Sequence, residues 1–466
     1  MTEPASHEKP CDVAPEELQT NDALSPPKQS NKQKLVIVIA AFMLNFSGCG
    51  LLFSFGIFQS LYEDMAKEAN NPFTGASSAD ISLIGSIAAA LMKLGAPYVV
   101  AWCKYFSPQS VVCAGGLLFG IASVLASFGN ALWHFQLSQG LLIGIATCLS
   151  FMPSMAVPPT WFGKYRGLNM GIISAGTGIG GLVWSPILSA CFQSIGFRNT
   201  LRLTGCICTV LICGSGAVLR WDPKMAARLH EDNLKLSSVS GLFKVPLPPR
   251  EIVTSRKFVA QCLNAAFQSA AYYTPVFYIA AYSKTLGYSD SEGSNFTALS
   301  NSCNAIGKVA VGFVADKIGR LDSFFLTTLL SSVSTAGLWI PSTVLGSANQ
   351  SSGRGLFLGF TVLYGLFASA YIGLFSPALV EIFGMENLPR ITGIMYFLQG
   401  AAGFVGTPVA GVLVRSLPSS KATENYVYMA VFVGALMVAS TVTVFWARIE
   451  VMVERFGGEK RWAWKL

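Results

Sequence analysis

The stretch "NAIGKVAVGFVADKIGR", Asn304 to Arg320, decides how the whole chain is read. It opens inside an apolar run that already carries a cation, Lys308, and closes on a compact charged cluster from Asp316 to Arg320. At helical rise Lys308 lies about 12 Å inside Asp316. Its aliphatic stem can snorkel part of that way. Thr297, Asn301, Asn304 and Lys308 recur at helical spacing and fall on one face. Four polar residues ending in a cation predict the wall of a water-filled cavity better than they predict glue between two helices. A charge at mid-membrane costs about 2.5–3.5 kcal/mol on insertion scales and is normally retained for function.

The chain around that stretch has 466 residues, 52% hydrophobic and only 12% charged. Its mean hydropathy is +0.51. A soluble protein of this length carries about a quarter charged residues. The apolar residues come in blocks long enough to cross a bilayer, which takes roughly 20 residues as helix. Twelve such segments are expected, at about 35–61, 79–103, 109–130, 132–157, 168–192, 200–219, 257–282, 295–315, 322–343, 355–383, 391–415 and 426–448. The fold class is therefore an all-α membrane protein of twelve transmembrane helices in two six-helix bundles. Residues 35–219 form the first bundle and 257–449 the second, joined by a central loop over 220–256. Residues 1–34, rich in Pro, Ser, Glu and Lys, read as a disordered tail without a secretory signal, and 450–466 as a second tail.

Lysine and arginine orient the chain. One set of loops and both tails hold 23 of them, the other loops hold seven, and Lys93 and Lys308 lie within segments. That asymmetry predicts both termini in the cytoplasm, and it reads the net charge of +8 as a topology signal rather than a nucleic-acid footprint. Sequons at Asn295 and Asn349 fall on the external side, so near segment ends that glycosylation is disfavoured. The cysteines, odd in number, sit mostly in apolar blocks and read as small buried residues. Cys206 and Cys208 make a C-x-C, but no histidine or second pair accompanies them, so no metal or other cofactor is expected.

The halves echo each other. "WFGKYRGLNMGIISAGTGIGGLVWSP" around the fifth segment parallels "IFGMENLPRITGIMYFLQGAAGFVGTP" around the eleventh, with Gly171, Gly181 and Pro186 spaced as Gly393, Gly403 and Pro408. Parallel repeats place a substrate path between two halves. These segments resemble the major facilitator superfamily and, within it, the fungal branch of the monocarboxylate-porter-like family, over about residues 35–450. The most specific match is "GFVADKIGR": Gly312, Asp316, Lys317, Gly319 and Arg320 fit the superfamily loop motif G-x-x-x-D-(R/K)-x-G-R. The resemblance implies a gate latch there, with Asp316 capping a helix end and pairing with an arginine. The counterpart in the first half is "GAPYVVAWCKYFS", where Cys103 replaces the aspartate. Departures from the lactate carriers of that family bear on substrate. Phe53 stands at their lysine in the first segment, Lys308 at their arginine in the eighth, and Asn304 at their aspartate. Proton coupling as in those carriers is thereby put in question.

Lys93 sits near the middle of the second segment, with room left by Ala90, Gly95 and Ala96. Asp80, Asp316 and Glu381 all fall near segment ends, so the two intramembrane lysines lack a fixed counter-charge that an anionic substrate would supply. The expected substrate contacts are Lys308, Asn304, Asn301, Lys93, Tyr273, Tyr278 and Gln399, with Tyr272, Phe277 and Tyr396 flanking an apolar body and Trp184 as an outlying pocket residue. Pro186, Pro275 and Pro408 are expected to bend their helices. Together these point to a secondary active or facilitative transporter of a small organic anion, either a monocarboxylate-like compound or a secondary metabolite, working by alternating access. The alternatives are a non-transporting nutrient receptor on the same fold and an importer of a neutral vitamin-like solute. Tails of only about 34 and 17 residues disfavour the receptor. An enzyme is disfavoured by the lack of mid-segment His, Asp and Glu, and ATP drive by the lack of a P-loop. A monomer in the plasma membrane is expected, with a vesicle or vacuole membrane as the alternative.

Overall fold

The structure is a computed structural model that describes residues 31–163, 165–234, 248–415 and 419–455. Twelve helices span it. They are α1 (Asn31–Ala66), α2 (Ser78–Leu94, continued by Ala96–Tyr105), α3 (Pro108–Ser127) and α4 (Leu132–Thr160). Next come α5 and α6 within Arg166–Val218, α7 (Arg256–Thr285), α8 (Asp290–Ile318) and α9 (Arg320–Ala348). The last are α10 (Gln350–Phe383), α11 (Leu388–Val412) and α12 (Ala422–Arg455). Gly196, at φ 76°, turns α5 into α6. Gly319, at φ 115°, makes the turn between α8 and α9, where a side chain would be strained. The side bearing that turn and the Lys- and Arg-rich loops is called the basic face below.

Seven stretches are long and apolar enough to be recognised as spans by hydropathy, one of them the joined α5–α6 pair. Bent α2 passes only as a pair of pieces, broken by 46° at Gly95. The helices that fail the test are α7, α8 and α11, because they carry buried polar residues such as Gln261, Asn264, Asn301, Lys308 and Gln399. Each of the three buries those polar residues and exposes apolar ones, such as Leu263, Ile306 and Val405, on another face.

Several boundaries differ from the sequence reading. Helix α1 already begins at Asn31, inside the stretch read as tail. The central loop holds two short helices, Pro223–Leu234 and Arg250–Val253, and α12 continues to Arg455. The remaining tail residues, 1–30 and 456–466, and loop residues 235–247 lie outside the described residues. Pro186, Pro275 and Pro408 lie inside continuous helices, and helix breaks fall at Ser54, Gly95, Gly196 and Ser369. Two seams join the halves, α5 against α8 and α2 against α11. Small residues permit this approach. A Cβ at Gly171 would overlap the Lys308 carbonyl oxygen, and one at Gly400 would lie 2.7 Å from the Leu94 nitrogen.

Candidate functional site

Lys308 is 1% exposed. The polar face of α8 that carries it packs on α5 and does not line open water: Asn301 lies against Gly178 and Gly181. The ammonium therefore finds partners across the seam. It donates to the Thr177 hydroxyl at 2.5 Å and to the Ser174 carbonyl at 3.1 Å. The Phe53 ring lies 5.9 Å from it, within range of cation–π attraction.

Lys93, 3% exposed, mirrors this from the first half. Its ammonium donates to the Gln399 side-chain oxygen of α11 at 3.0 Å and lies 5.1 Å from the Tyr273 ring of α7. Phe53 and Tyr273 meet at 6.3 Å, so an aromatic pair from α1 and α7 stands between the two cations. Helix α1 widens over five residues, Asn45–Cys49, one turn before Phe53. Such π-type turns leave carbonyls unpaired and recur at functional sites. Here the Trp184 indole donates to the Phe46 carbonyl at 3.2 Å, so Trp184 braces α1 rather than facing a pocket.

No carboxylate among the described residues pairs with either lysine. Around them Tyr273 Oη, Gln399 Nε2, Asn301 Nδ2 and Asn304 Oδ1 are buried without a partner. Buried polar groups are normally satisfied, and each exception calls for a missing water, ion or ligand. A small enclosure lined by Ser86, Tyr273, Phe277, Gln399, Gly403 and Thr407 adjoins Lys93. Asn304 donates weakly to Tyr272 at 3.4 Å. Tyr278 departs from expectation: it packs against Tyr426 at the start of α12, away from both lysines. Thr177 and the Ser174 carbonyl were missed by sequence reasoning. A signal for Thr177 existed, since the shift that carries Gly171 onto Gly393 carries Thr177 onto Gln399.

The loop motif sits at the basic-face end of the α5–α8 seam. The Asp316 carboxylate accepts from the Gly167 and Leu168 backbone N–H groups at 3.0 and 2.8 Å, capping the start of α5 from the other half. Arg320 pairs with it at 3.2 Å and also donates to the Gly163 carbonyl. Gly312 lets α8 close on Gly167, while Lys317 leans on the Phe313 ring at 4.3 Å. On the second seam the Cys103 carbonyl is held by the Trp221 indole, and Pro389 stands at the position matching Gly167 without an N–H to give. Donor and acceptor are both gone there. Asn295 is exposed in the first turns of α8, and Asn349 uses its side-chain oxygen to cap α10.

Among the described residues, twelve helices in two bundles, most of them apolar enough to cross a membrane, close around a polar centre, as in a membrane transporter. The chain belongs to the Major Facilitator Superfamily, whose family model matches residues 40–348 and 262–461. It is 26% identical to an MFS-type transporter of Gibberella moniliformis, over 89% of this chain and 90% of that one. A probable transporter of Saccharomyces cerevisiae is 28% identical over 85% of this chain and 78% of its own. An agnestins efflux protein of Paecilomyces divaricatus is 24% identical over 96% and 95%.

Proposed function

We propose that the chain is a secondary transporter of a small organic anion, moved by alternating access between its halves. The carrying observation is the pair of buried ammonium groups, Lys308 and Lys93, held only by neutral acceptors. Isolated charge in a low-dielectric interior is expensive, and a carboxylate or related anion would offset it. Phe53 and Tyr273 between the lysines suit an apolar or aromatic body on that anion, and the unpartnered atoms of Asn304, Asn301 and Gln399 suit its polar groups. Relatives named as transporters, one of them an efflux protein, support transport and favour a secondary metabolite moved outward. The distribution of Lys and Arg supports both termini in the cytoplasm of a plasma-membrane protein. Asp316, Arg320 and Gly312 then form the cytoplasmic gate, shut in this arrangement.

The test is uptake and efflux of a panel of labelled organic acids in cells expressing wild type or Lys308→Ala, with and without a proton gradient. Transport of at least one acid, lost in the variant at unchanged membrane abundance, is the expected result. A transported acid carried equally well by the variant removes Lys308 from the site.

A further inference from the structure

The two lysines are anchored in a way that repeats between the halves. Lys308 of the second half reaches α5, and Lys93 of the first half reaches α11, so each ammonium crosses a different seam. Their acceptors occupy equivalent places. Thr177 stands six residues after Gly171 and Gln399 six after Gly393, and these glycines correspond in the two repeats. Both acceptors are neutral and both are fully inside the protein. A hydrogen bond from a charged donor is stronger than one between neutral groups, and a charged acceptor strengthens it further.

We propose that Thr177 and Gln399 are matched positioning residues, the resting acceptors that let Lys308 and Lys93 tie the halves together across both seams while the site is empty. An incoming anion would take over the same ammonium groups, a step that rests on the anion reading above. The tie itself does not rest on it. Each lysine thus does two jobs in turn, holding the seam when the site is empty and the cargo when it is full. Exchange of a neutral acceptor for a charged one couples binding to loosening of the seams.

The test needs no ligand. The Gly167 and Leu168 amides donate to Asp316 across the α5–α8 seam, so their hydrogen exchange reports opening there. Exchange is followed on the full chain in lipid nanodiscs. Thr177→Val is expected to speed exchange at Gly167 and Leu168 several-fold, Thr177→Ser to restore the wild-type rate, and Lys308→Met alone to speed it at least as much, since it also removes the bond to the Ser174 carbonyl. In the Lys308→Met background Thr177→Val should add nothing. On the α2–α11 seam, where Lys93 itself bonds Gln399, Gln399→Leu is expected to speed labelling of Lys93 by an amine reagent several-fold, read on its own peptide. An unchanged exchange rate in Lys308→Met, unchanged Lys93 labelling in Gln399→Leu, or a Thr177→Val effect of equal size with Met at 308 overturns the proposal. Because flux in Lys308→Ala tests the anion site separately, loss of flux without altered exchange would sink the tie and leave the anion site standing. Altered exchange with intact flux would do the reverse.

Discussion

In Asp316→Asn, an impermeant amine reagent supplied at the basic face is expected to label Lys308 at least roughly tenfold faster than in the wild type. The Asp316 side chain is 6% exposed and accepts two backbone N–H bonds from the opposite half. Bonds to a charged group are worth about 1.5–3 kcal/mol each, and about 1.4 kcal/mol is a factor of ten in an equilibrium. An asparagine can keep one of the two acceptances while turning its amide N–H toward the other donor, so the loss is at least one such bond. On the second seam Cys103 and Pro389 stand where the matching acceptor and donor would be, so this capping bond is not duplicated there. Arg320→Gln should label much less, because the bonds that cross the seam to α5 are retained. Lys308 is read by mass spectrometry of its own peptide, so the many surface lysines do not interfere. Equal labelling of Asp316→Asn and wild type would mean that the carboxylate does not hold the gate.

Much of this was legible in the residues. Blocks of apolar sequence gave all twelve helices, including α7, α8 and α11, whose polar residues defeat a hydropathy threshold but leave the blocks long enough to see. Lys308 and Lys93 stood out because a cation in such a block is costly. What they bond to was not legible, because partners lie on helices far away in the chain and a threonine or an amide is common in any helix. The α8 stripe was read as the wall of a water-filled cavity, yet it packs on α5. Periodicity identifies a polar face but not what covers it, and the stripe of glycines on α5 was the part of the sequence that allowed close cover. Tyr278 is expected in the site as one of the aromatics of the seventh segment, but it directly follows Phe277 and its ring turns instead to Tyr426. The widened turn of α1 at Asn45–Cys49 has no marker in its sequence that distinguishes it from ordinary helix.

Two glycines of neighbouring character should fail in different ways when replaced by valine. Gly307 of α8 faces the Leu366 backbone of α10 within the second half, and a Cβ there would overlap the Leu366 carbonyl oxygen. Gly171 of α5 faces the Lys308 carbonyl across the seam between halves. Carbon and its neighbours rest about 3.5–4.0 Å apart, so either substitution forces two backbones apart by roughly 1–2 Å. Within a bundle that displacement has nowhere to go. Gly307→Val is therefore expected to cost at least about 1–3 kcal/mol of stability, seen as lower membrane abundance and a lower melting temperature. Across a seam the halves swing instead if, as proposed, they alternate in access and so already sample that separation. Gly171→Val should keep its abundance and melting temperature near wild type, while Lys308 becomes reactive from the basic face and flux falls at least roughly tenfold, the cost of about 1.4 kcal/mol against closure. If the two variants instead lost stability to the same extent, the α5–α8 seam would be part of a fixed core, and the halves would have to move about some other contact.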